Sequence, residues 1–370
     1  MSVSGRERAH LRFALAVHRA AAGAGDACFS PYSAASALGL VTSAARGPAA
    51  EETAALLAGS AEGAEEHARM LREAAELTPR AGQEEPVLEV ANTLWAWDGL
   101  PLRRDFLTEL ATWPSGGVAG APFVEDPEAA RAAINGDVAK ATRELIPELL
   151  PPGTVGEDTV ATLVNALYLR VAWTYPFREA ETADADFHAP SGTRRVPTMR
   201  QSERLGYAEH AGWRLVSLPA VGGVEAVVLL PDGDLAERES TMDENLLAEL
   251  LAARRGGMVN LSLPRVSLDV RTRLKPALHS LGVHTMFTPE ADFSGLTDDP
   301  RLLVSDVLHQ AVLRLDEGGL EGAAATAVTM RMVSMPVGEP VTVTVDRPFL
   351  LLVRHSGTGA VYFLARVVEP

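Results

Sequence analysis

Side chains that usually carry catalysis are sparse in this chain and poorly spaced for it. There is one cysteine, Cys28, and there are nine histidines, none with ligand-like spacing. The sequence holds no G-x-S-x-G elbow, Walker A loop, H-E-x-x-H helix or C-x-x-C pair. An enzyme reading has no nucleophile, base or metal set to stand on. No metal and no cofactor is expected. Cys28 can close no intramolecular disulfide and reads as a small apolar core residue.

The stretch with unusual chemical potential is Asp316 to Met335, DEGGLEGAAATAVTMRMVSM. It lies between a strand-like run, Leu302 to Leu315, and a second one, Val341 to Val345. Twenty residues are long for a structureless connection in a compact domain. The stretch also reads as a strand. With a period of two, Leu320, Gly322, Ala324, Thr326, Val328, Met330 and Met332 share one face. Both charges after Gly318, Glu321 and Arg331, fall on the other face. No proline interrupts Gly318 to Met335, so no ladder donor is missing. The same residues also suit an Ala-rich helix or a flexible linker, and composition alone leaves that choice open.

Flanking motifs add a family resemblance. Glu317, Gly318, Gly319, Leu320, Glu321, Gly322, Ala323, Ala324, Ala325 and Thr326 resemble the hinge of a serpin reactive-centre loop. The run 304–311, VSDVLHQA, resembles the strand that precedes that loop. Similar to other serpin signatures are 291–295 (ADFSG), 347–349 (RPF), 164–168 (VNALY) and 29–33 (FSPYS). The motifs come in the family's order and cover roughly Phe13 to Pro370.

The resemblance implies a suicide-substrate inhibitor of serine proteases. In that mechanism a protease forms an acyl-enzyme on the loop, which then inserts into the main sheet. The family's usual spacing puts the reactive bond at Val333–Ser334, with Arg331, Met332 and Met335 as alternatives. A Val or Met there suits an elastase-like or subtilisin-like target, and cleavage after Arg331 suits a trypsin-like one. Ser30, Ser33, Asn165 and His309 are expected to form the shutter beneath the opening sheet, and Trp173 the breach. An amide and an imidazole in central strands can also satisfy each other, so Asn165 and His309 are candidate partners. Three positions depart from the family pattern: Gln310, Leu320 and Gly322. Leu320 has inward parity and needs space as the sheet opens, which would slow insertion. A non-inhibitory serpin, cut as a substrate and acting in binding or storage, is the alternative.

Bulk properties narrow the partners. The net charge is −16 and no dense Lys/Arg cluster exists. Nucleic acid, anionic membrane and heparin-type partners all need basic patches and are not expected. No run of eighteen apolar residues is present, so no membrane helix is expected. The first 26 residues are interrupted by Arg12 and Arg19 and lack a signal-peptide pattern. The expected address is the cytoplasm, with export by another route left open, and the expected state is a monomer.

The elements that must position the loop follow from periodicity. Residues 1 to about 150 read mainly as helix: His10–Ala22, Ser33–Ala45, Glu51–Leu57, Ala64–Leu77 and about Asp126–Leu145. Val87–Ala96 is the first good strand. Later strands are expected at Thr159–Leu169, Arg194–Met199, Arg214–Leu218, Glu225–Leu230, Val259–Leu263 and Ser267–Val270. Thr241 and Glu244 read as a capping box for a helix stopping at Gly256. Helices first and strands later suggest one α+β domain, 1–370. The resemblance implies the same, with three sheets, about eight or nine helices and an exposed loop at about 317–340.

Overall fold

The computed structural model describes residues 3–370 except 80, 81, 83, 114, 115, 157, 158, 160, 300, 301, 305 and 322–338, with backbone alone at 91, 92, 163 and 165. Nine α-helices are present among the described residues: α1 (Gly5–Ala21), α2 (Pro31–Ala44), α3 (Gly47–Ala58), α4 (Ala61–Ala74), α5 (Arg104–Leu110), α6 (Pro127–Ala141), α7 (Leu235–Ser240), α8 (Glu244–Ala253) and α9 (Lys275–Ser280). The strands are β1 (Ala27–Phe29), β2 (Val87–Trp97), β3 (Gly116–Ala121), β4 (Ala161–Ala172), β5 (Ala183–Ala189), β6 (Gly192–His210), β7 (Trp213–Pro219), β8 (Val224–Pro231), β9 (Arg255–Pro264), β10 (Val266–Arg273), β11 (Leu308–Leu315), β12 (Gly319–Leu320), β13 (Val341–Thr344), β14 (Phe349–His355) and β15 (Val361–Val367).

One sheet runs β10-β11-β12-β4-β2-β3, antiparallel except for the parallel β2–β3 pair. The remaining strands form one hydrogen-bonded path, β1-β15-β14-β8-β7-β6-β9-β13, with β5 on β6. β6 makes that path two sheets. Its last residues, Gly206–His210, pair with β7, while its earlier part carries β5 and β9. The expected three-sheet α+β architecture is therefore present.

β8, β14 and β15 are buried along almost their whole length, which is why they read as unbroken apolar runs. α2 is apolar nearly all round and packs behind the six-stranded sheet, touching β4 and β15. α6 covers the opposite face. Ile134 and Val138 of α6 share a cluster with Trp95, Val164 and Ala166 of the sheet. The six-stranded sheet is thus enclosed between α2 and α6.

Several local expectations are corrected. α1 begins five residues before His10, because Ser4 and Glu7 form a reciprocal capping box. Asp243, not Thr241, caps α8, accepting from the Asn245 and Leu246 N–H groups. α8 stops at Ala253, and Gly256 lies inside β9. β6 is 19 residues long where six were expected, since turn-like residues such as Gly206 are held by neighbours on both sides. The described part of 302–307 is not strand; β11 starts at Leu308. β1, β3 and α5 were not foreseen; at three to seven residues they carry too few periods to read.

Candidate functional site

β11 ends at Leu315 and the chain reverses at once. Asp316 holds the turn: its Oδ1 accepts from the Gly318 and Gly319 N–H groups, and its own N–H donates to the Gly319 carbonyl. β12 then enters between β11 and β4, with Gly319 opposite Ala172 and Leu320 opposite both Val171 and Leu315. A Cβ on Gly319 would sit 2.1 Å from the Val171 carbonyl oxygen, so only glycine fits there. Leu320 is 1% exposed and packs in the main core, on the inward face that its parity implied. The bulk that looked like an obstacle is already seated.

Trp173, fully buried, stands at this entrance. Its backbone N–H donates to the Gly318 carbonyl at 2.9 Å and its indole N–H to the Asp316 carbonyl at 2.8 Å. Glu317 is the entrance's fixed charge. It takes a two-oxygen grip from Arg265 at 2.8–3.0 Å and a hydrogen bond from Thr182. Burial alone would raise its carboxyl; the Arg265 and Thr182 hydrogen bonds outweigh burial and hold it below the usual range. The Glu317 contribution to stability is therefore present above about pH 4.3 and is lost as pH falls through its lowered folded value. Glu317→Gln should lower the unfolding free energy by about 1–3 kcal/mol at pH 7. Urea titrations at pH 7 and pH 3 check this: the difference between the two proteins should shrink at the lower pH. Sequence reasoning missed Arg265 and Thr182, because nothing local marks residues brought in from other strands.

Past Leu320, no direct β4–β11 pairing is present among the described residues. Among the described residues, β12 is the only strand joining β11 to β4. Beside Glu321 a crevice of only about 10 Å³ is left among Leu167 and Leu169 of β4 and Leu313 of β11. Further on lies a cavity of about 350 Å³, lined by Thr162 and Val164 of β4, Leu308 and His309 of β11, and Ser33 and Leu38 of α2.

His309 is buried, and burial pulls its imidazole down to about 4. It is neutral at pH 7, and its Nε2 accepts from the Ser30 N–H at 2.9 Å. Ser30 also caps α2, its hydroxyl accepting from the Ser33 N–H. Ser30, Ser33 and His309 are thus brought together where α2 meets β11. Asn165 lies in β4 with its backbone opposite Asn92, but its side chain is outside the described residues. Its expected partnership with His309 is outside them too. Gly322, Ala323, Ala324, Ala325, Thr326, Arg331, Met332, Val333, Ser334 and Met335 also lie outside the described residues.

Three kinds of comparison bear on this geometry. The family model described as "Serpin (serine protease inhibitor)" matches residues 8–370. The chain belongs to the serpin family. Ipis-1 of Ixodes persulcatus is 31% identical over 355 residues, covering 94% of this chain and 93% of that protein. The thermophilic serpin tengpin, solved in its native state, superimposes with a TM-score of 0.85 at 23% identity, over 98% of this chain and 94% of that one. Uncleaved ovalbumin gives 0.84 at 22% identity, over 99% and 100%. Serpins are in general protease inhibitors rather than catalysts, although the structural neighbours include non-inhibitory members.

Proposed function

We propose that this serpin inhibits serine proteases as a suicide substrate, by inserting its cleaved loop into the gap between β4 and β11. The observation that carries the reading is the seated hinge: Gly319 and Leu320 already bridge these strands, no direct ladder joins β4 to β11 beyond them among the described residues, and a cavity lies further along.

Continuing the two registers, Ala324 would fall opposite Leu167 and Ala311, and Thr326 opposite Asn165 and His309. An inserted strand would be enclosed between α2 and α6, so side chains on both faces must be small. The sequence from Gly322 to Ala327, GAAATA, meets that demand. Roughly 12 to 15 residues would gain ladder hydrogen bonds worth about 0.5–1.5 kcal/mol each. The sum is on the order of 10 kcal/mol, the scale of a whole domain's stability. A strand of about 16 residues spans about 50 Å, so a protease held as acyl-enzyme would be carried across the body of the serpin. The protein supplies stored conformational energy and no catalytic group.

The proposed reactive bond is Val333–Ser334, within two residues, and the proposed target has an elastase-like or subtilisin-like pocket. Incubation with elastase-, subtilisin- and trypsin-type enzymes tests this. The expected result is a covalent complex stable to SDS and heat, plus a released C-terminal peptide beginning at Ser334 or within two residues of it. Cleaved serpin with fully active protease and no complex would move the reading to the non-inhibitory alternative.

A further inference from the structure

The last described residue of the hinge, Glu321, has an awkward backbone and charges on both sides. Glu321 has φ +59, a left-handed conformation unfavourable for a side chain of its size. Its N–H still donates to the Arg314 carbonyl at 2.9 Å, so it begins the ladder to β11 without an extended backbone of its own. Its carboxylate lies 3.7 Å from the Arg314 guanidinium and is only 19% exposed. Burial raises this carboxyl above its usual range, with Arg314 and Arg170 acting against burial and Asp316 adding to it.

The registers say what an extended Glu321 would meet. Leu320 faces Val171 on one side and Leu315 on the other. One step further along antiparallel strands, residue 321 faces Arg170 of β4 and Arg314 of β11. All three side chains would share the outer face, because directly opposed residues point the same way. At present Arg170 is engaged elsewhere, by Glu84 at 3.0 Å, with both side chains about 30% exposed. That pairing is single-pronged: Arg170 Nε and Glu84 Oε2 are buried without a hydrogen-bond partner. A one-residue slip would bring Leu320 or Gly322 between the arginines and turn every inward side chain outward.

We infer that Arg170 and Arg314 form a two-sided clamp that captures Glu321 as it becomes extended, fixing the register of loop entry, and that Glu84 restrains the clamp by occupying Arg170. This rests on the inhibitory reading and adds to it the residues that govern the first step of insertion. Entry exchanges the Glu84–Arg170 pair for an Arg–Glu–Arg row and returns Glu321 to an ordinary strand conformation. Arg170 and Arg314 are positioning residues: they touch the loop and not the protease.

Opposite signs make the test specific. Arg170→Gln, Arg314→Gln and Glu84→Gln are compared with wild type, using subtilisin and pancreatic elastase. The readouts are molecules cleaved per protease trapped, and the rate at which cleaved protein acquires heat resistance. Arg170→Gln and Arg314→Gln should each raise the cleaved-to-trapped ratio by about threefold, the effect expected of one partly exposed cross-strand ion pair. Glu84→Gln should lower it, because Arg170 is then free before entry. A general loss of folding would move all three in one direction, and circular dichroism of the uncleaved proteins separates that case. Unchanged ratios in the variants, or a Glu84→Gln shift in the same direction as Arg170→Gln, overturn the clamp while wild type still traps protease. Wild-type protein that neither traps protease nor gains heat resistance overturns the inhibitory reading, and the clamp with it.

Discussion

Cleavage of the loop should raise the unfolding temperature of the wild-type protein by on the order of 10–15 °C, and Ala324→Pro should remove most of that gain. The size follows from the proposed strand, worth on the order of 10 kcal/mol, divided by an unfolding entropy of about 0.8 kcal/mol/K for a chain of this length. In the proposed inserted strand, continued register would put Ala324 opposite Leu167 and Ala311, where a central strand needs both a free N–H and an extended φ. Proline supplies neither. The substitution lies nine residues before Val333. Protease recognition should therefore be unaffected, and the variant should be cut at the wild-type rate. It should then release active protease and form no covalent complex. Differential scanning calorimetry before and after cleavage is the measurement. A wild-type protein whose unfolding temperature does not move on cleavage would falsify the latent-strand reading of Leu320 to Val333.

His309→Ala should destabilise the uncleaved protein and open the sheet to other chains. It leaves the Ser30 N–H buried without an acceptor, at a cost of about 1–3 kcal/mol, and the lost ring enlarges a cavity already next to it. That N–H sits at the start of α2, so the loss loosens the contact between α2 and β11. A gap that opens more easily accepts a neighbour's loop as well as its own. The variant should unfold at lower temperature and form polymers on mild heating, read by native gel and size-exclusion chromatography. pH provides a second check. A buried imidazole pulled down to about 4 favours the neutral form, so its contribution is full above the unfolded value of about 6.5. That contribution falls as pH drops from there toward 4, by roughly 3 kcal/mol in total. His67 is pulled down to about 4 and His10 is also lowered, so wild type should lose stability over this window through three residues. The His309→Ala variant should show a shallower slope. Equal slopes and a monomeric profile after heating would show that the Ser30–His309 contact does not hold the sheet.

How much was legible varied along the chain. Leu320 illustrates the best case: its inward parity followed from period two alone, and it is buried on that face. α2 and β4 were read to within two or three residues, because long periodic apolar runs fix element type. α8 was read with the wrong cap. Asp243 and Thr241 both resemble N-caps, and only the chain's entry direction chooses between them. The stretch before β11 looked like strand because apolar residues recur there, yet Leu302 is buried and Val304 partly buried by packing without a ladder.

By itself the sequence determined the local preferences: a proline-free run of small residues, the parity of its faces, the acidic surface and the absence of any catalytic motif. These depend on residue type and on spacings of two to four, which survive without knowledge of the fold. Tertiary structure alone decided that the hinge is held by Arg265 and Thr182, residues 52 and 135 positions away from Glu317. It alone decided that His309 faces the N-terminus of α2, 279 residues before it, and that among the described residues β4 and β11 are joined through β12 and not by a ladder of their own. Contacts of that separation carry no local signal, because they arise from which strands become neighbours. The same would hold for the energy of the proposed insertion, which would come from pairing with two strands whose sequences look complete when each is read alone.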